Sequence, residues 1–203
     1  MSPIESALRG GAITLLMLLA ILLIRDGRRE LAARFAALYA LGVAAYVVVS
    51  SSAFIGEPPL WILPLRIIGG GNPVVFWLLA ATLFDDEFVS SRKHLFIYLG
   101  MAVLGVGCSY VPVPALHIGA TILSLAFNVA ALWYAVSGRS EDLIEGRRKL
   151  RVVFIAAAAL YSIAQITTEF FVTSSSPRTV FEIFNAVGLI AITSSACRRS
   201  DRS

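Results

Sequence analysis

Seven stretches of the chain are apolar almost without interruption, at residues 4–24, 32–54, 62–84, 95–111, 114–136, 152–172 and 180–196, and most charged residues collect in the short segments between them. Runs of this kind suit the ~20 residues a helix needs to cross a hydrocarbon core about 30 Å thick. Backbone groups in lipid must be satisfied within their own segment, so each run predicts a helix. The third run is the irregular one. It reads "RIIGGGNPVVFWLLAATLFDDEF" at 66–88, and the part from Pro73 to Phe84 would rise only about 18 Å as a helix. Asn72 followed by Pro73 predicts a helix start, with Asn72 as N-cap and Pro73 at the first helical position. Residues 64–72 are then expected to be irregular or re-entrant backbone lining a site, because three successive glycines are poor helix formers. The alternative is one continuous tilted helix from Trp61 with a proline kink.

Composition turns these runs into membrane spans. The 203 residues are 58% hydrophobic and 15% charged, with a mean hydropathy of +0.80, against roughly 45–50% and about 25% in a soluble domain. The expected fold class is all-α, a polytopic membrane protein of seven transmembrane helices forming a single domain over 1–203. No catalytic motif is visible, so no enzyme is expected, and no cofactor. The first run ends in "IRDGRRE" without a small-x-small cleavage site, which reads as a retained span rather than a signal peptide.

The net charge of +4 does not point to nucleic acid, because in a membrane protein the position of the basic residues carries the information. With seven spans and the N-terminus outside, fourteen of the seventeen Lys and Arg residues fall on the cytoplasmic side, leaving Arg9, Arg66 and Arg178 outside. If the third run did not cross, that side would hold only five. The positive-inside rule therefore selects seven spans and a cytoplasmic C-terminus. Cys108 and Cys197 then lie near opposite surfaces, too far apart to pair within one chain.

Polar residues inside the runs are the candidate site. Tyr161, Gln165 and Glu169 share one helical face, and Glu182 is followed by Asn185 on the same side of the seventh run. His117, Thr121, Ser124 and Asn128 form a third stripe in the fifth run. All three stripes, with Asn72, are expected in the outer half, where the helix start at Asn72 offers N–H groups to an anionic ligand. The candidate ligand-binding residues are thus Glu169, Glu182, His117, Gln165, Asn185 and Asn72. The competing reading is that these groups only hydrogen-bond between helices. One histidine and two glutamates from different runs lack metal-ligand spacing, so no metal site is expected. Trp77 reads either as a cavity wall or as core.

The segment "GNPVVFWLLAATLFDDEF" (71–88), with "LLIRDGRRELAARFAALYALGVAAYVV" before it and "GRSEDLIEGRRKLRVVF" after it, resembles the seven-helix N-terminal membrane domain of a group of bacterial AraC-type transcriptional regulators. In that family a helix-turn-helix domain follows the seventh span. Here six residues follow Cys197, too few for a recognition helix and its support, so no direct nucleic-acid binding is expected of this chain. The resemblance implies a sensor in the bacterial inner membrane that binds a small ligand or lipid and signals to a cytoplasmic partner. The alternatives are a small transporter or channel subunit, and a ligand-free scaffold. Membrane lipids are partners in every case, and the basic loops suit anionic headgroups.

Overall fold

The computed structural model describes residues 3–27, 29–51, 59–85, 87–111, 113–137 and 145–171. These residues are helical, without a strand among them, in the order α1 (Pro3–Asp26), α2 (Leu31–Val49), a 3-10 turn (Leu60–Ile62), α3 (Leu63–Gly70), α4 (Asn72–Phe84), α5 (Arg92–Tyr110), α6 (Pro114–Ser137) and α7 (Glu145–Phe171). Five helical segments are long and apolar enough to cross a membrane: Ser6–Asp26, Leu31–Val49, Leu60–Phe84, Arg92–Tyr110 and Pro114–Ser137. They correspond to the first five apolar runs. The sixth run falls in α7, whose apolar stretch covers Val152–Ala164, and the seventh lies outside the described residues.

The described residues form two compact units that divide between Gly69 and Gly70. In the first, α1 and α2 make an antiparallel hairpin. Ala12, Leu16 and Ala20 of α1 are buried, as are Ala37, Ala40 and Ala44 of α2, while Met17, Leu18, Ile21 and Ile24 face outward. Small residues inside and large apolar ones outside invert the soluble pattern. Lipid tails are as apolar as leucine, so burial of leucine against protein gains little and close backbone approach decides the interface. Gly27 makes the reversal possible, since a Cβ there would collide with Ala33 and with Leu23 O. At the other end of the hairpin Arg9 is buried, donating to Val47 O at 2.7 Å and to Ser50 Oγ at 3.1 Å.

In the second unit α4 is the most enclosed helix, with Val74, Val75, Phe76, Leu78, Leu79, Ala80 and Ala81 all buried. It packs on α5 and α6, and α6 packs in turn on α7. The buried side of α6 carries Asn128, Ala131 and Ala135, and that of α7 carries Ile155, Ala158 and Ala159.

The irregular segment expected at 64–72 is helical. The 3-10 turn, α3 and α4 succeed one another from Leu60 to Phe84, a 25-residue span, about 38 Å of helix and enough to cross a bilayer. The interruption is Gly71 alone, at φ −79° and ψ −5°. Gly71, not Asn72, is the N-cap of α4, and its carbonyl accepts the N–H groups of both Val74 and Val75, at 3.1 and 3.3 Å. Pro73 explains the position, because it cannot donate to Gly69 O and its ring crowds that carbonyl. Gly70 remains helical because α5 crosses it closely. A Cβ on Gly70 would stand 3.4 Å from Ala102 O, a Cβ on Gly105 would stand 3.1 Å from Gly70 Cα, and the Tyr98 ring covers Gly71.

Candidate functional site

The polar stripe of α6 winds from the surface into the bundle. His117, in the first turn, is exposed; Thr121 and Ser124 are half-buried; Asn128 is 3% exposed. Asn128 Nδ2 donates to Ser124 O at 2.8 Å. That bond fixes the amide orientation and leaves Oδ1 as a buried acceptor without a partner. On α4, Asn72 is half-buried and its Oδ1 is likewise buried and unpartnered. A buried oxygen in this state forfeits hydration it would have in water, so each is a place where a donor would be stabilising.

The other expected members are only partly placed. Gln165 and Glu169 belong to the last turns of α7, but their side chains lie outside what is described, and Glu182 and Asn185 lie outside the described residues altogether. His117 and Asn128 share a helix, yet His117 faces outward at one end while Asn128 is enclosed. Among the described residues, no group of three or more His, Cys, Asp and Glu side chains converges to hold a metal ion. Cys108 is a half-buried free thiol; Cys197 is outside the described residues.

Two arrangements escaped the sequence reading. Arg9, expected as an outer flanking charge, is the cation that satisfies the end of α2. Its place ahead of the Ala12, Leu16 and Ala20 stripe was the available signal. The second is an aromatic group around His94. Trp77 packs against Phe127 of α6, ring centroids 5.7 Å apart, and meets the His94 ring at 5.7 Å and 75°. Phe88 stacks on the histidine at 5.2 Å and 26°. Trp77 is thus a packed residue joining three helices. The Ser91-x-x-His94 spacing, one helical turn before an apolar run, was its sequence trace. The acids after α4 are partly accounted for locally: Asp85 Oδ1 accepts the Glu87 N–H at 3.0 Å.

Compared with known protein families, curated proteins and solved structures, the chain matches none. The length and apolar surface of its helices define it as a helical membrane protein.

Proposed function

We propose that this chain is a seven-span sensor module of the bacterial inner membrane, with its N-terminus outside and its C-terminus in the cytoplasm. It binds a small molecule or lipid between its helices and passes a helix displacement to a cytoplasmic partner. The resemblance to the membrane domain of AraC-type regulators supports this reading, and so does the distribution of basic residues. The structural observation that carries it is the pair of buried, unpartnered amide oxygens, Asn72 Oδ1 on α4 and Asn128 Oδ1 on α6, borne by two helices that pack together. Acceptors of this kind suit a ligand that donates through hydroxyl or N–H groups.

The ligand-free scaffold is the second reading, and a specific observation favours it. The GGGNP segment opens no gap in the span, because Tyr98, Ala102 and Gly105 of α5 close over Gly70 and Gly71. The two readings separate at Asn128. Native mass spectrometry of the full chain, released from its own membrane, should show a bound molecule that is lost from Asn128→Leu and Asn72→Leu. An identical bound profile for parent and variants, or none for the parent, would leave the scaffold reading standing.

A further inference from the structure

Ser91 and His94 form the capping box of α5, with histidine at the position where glutamate or glutamine commonly closes the motif. His94 Nδ1 accepts the Ser91 backbone N–H at 3.1 Å. A ring nitrogen in that role carries no proton, so the imidazole hydrogen sits on Nε2. The same ring stacks on Phe88 of the connecting segment and touches Trp77 of α4. One half-buried imidazole therefore joins the first turn of α5 to Phe88 of the preceding connection and to Trp77 of α4, which itself packs on Phe127 of α6.

We propose that His94 is a proton-operated latch: in its neutral form it holds residues 88–91 against α4 and α5, and protonation of Nδ1 releases it. Glutamate or glutamine would cap the helix equally well, but histidine is the side chain that ordinarily changes charge between about pH 5 and 8. Protonation converts the acceptor into a donor that faces the Ser91 N–H. It also places a cation in the first turn of α5, where the helix dipole opposes it.

Among the described residues, the surrounding charges do not offset this. Arg92 and Lys93 flank His94 on its own helix, and Tyr98 follows one turn on. In the connection the described acids are Asp85 and Glu87, and Asp85 Oδ1 is already engaged by the Glu87 N–H. α4 has no titratable side chain. On α6 the titratable residues are His117 and Tyr134, ten and seven positions from Phe127. The latch goes beyond the ligand reading and does not depend on it, since its parts are distinct from Asn72 and Asn128.

The test uses the full chain in lipid nanodiscs with Trp61→Phe and Trp133→Phe, so that Trp77 is the reporter. Acidification from about pH 8 to about pH 5 should change Trp77 emission along a single-proton curve, because the released imidazole leaves its contact with the indole ring. Over the same range hydrogen exchange at Ser91, corrected for its intrinsic pH dependence, should rise about fivefold, the weight of a typical cap. His94→Gln, which keeps an acceptor, should be flat in both readouts; His94→Ala should exchange fast throughout. A parent that is flat, a pH curve retained in His94→Gln, or an emission change without faster exchange would each overturn the latch.

Discussion

Val47 O lies in the last turn of α2, where the helical ladder runs out: the Ser51 N–H that would reach it donates to Val48 O instead, at 3.2 Å. Arg9 supplies the missing donor from α1, and Ser50 Oγ adds a longer contact at 3.4 Å. A cation at a helix C-terminus is favoured by the dipole as well as by the bond. Removing it leaves a buried carbonyl with only the longer Ser50 Oγ contact, so Arg9→Met should destabilise the chain by about 1–2 kcal/mol, seen as a lower thermal midpoint in detergent, with Arg9→Lys intermediate. A midpoint unchanged in Arg9→Met would reduce Arg9 to a topological charge. The sequence could place Arg9 on the buried stripe of α1. It could not show which helix end would meet it, since that depends on the length of the 27–30 reversal and the register of two featureless apolar helices. The same holds for Asn128, whose stripe was readable but whose depth was set by its packing partners.

At the level of helices, the glycines of the third span show how propensity misleads in a membrane. Three consecutive glycines rank low as helix formers in water, and on that basis 64–72 reads as a break. In the bundle Gly70 and Gly71 are contact surface: the absent side chain at Gly70 lets α5 approach to backbone distance, that at Gly71 leaves room for the Tyr98 ring, and this tertiary gain keeps the helical path with a single interruption. Pro73 was legible because its effect is covalent, and the interruption sits where its missing N–H requires. The contact distances rank the substitutions. Gly105→Ala should cost about 1–2 kcal/mol, because its Cβ would meet Gly70 Cα at 3.1 Å. Gly70→Ala should cost less, since its nearest neighbour is at 3.4 Å. Gly71→Ala must displace the Tyr98 ring, so the double variant with Tyr98→Ala should recover much of that loss. A thermal-stability cycle reads the coupling directly. Strict additivity of Gly71→Ala and Tyr98→Ala would mean that the ring moves aside freely and that the crossing is not held there.

Among the described residues outside α4, alanine recurs at the buried positions of the helices while most of the exposed large apolar side chains are leucine, isoleucine and valine, which fits lipid as the surrounding medium. Apolar run length and basic-residue placement were both readable in the sequence, because each acts over a whole segment and needs no partner to be identified. Parity is the property on which they must agree. If Leu60–Phe84 crosses, the 85–91 connection and residues 138–144 lie on the same side as the 27–30 reversal; if it does not, both change sides. The segment is a 25-residue helical span, its length suffices for the hydrocarbon core, and Arg25, Arg28, Arg29, Arg92, Lys93 and Arg139 then share one face. We therefore expect a fluorescent-protein fusion inserted at 138–144 to be bright, and an alkaline phosphatase fusion at 111–113, between α5 and α6, to be active. Phosphatase activity at 138–144 would invert every assignment after α2. Replacing Arg92 and Lys93 by glutamine should weaken this orientation without abolishing it, because basic residues in the neighbouring connections still favour the cytoplasm.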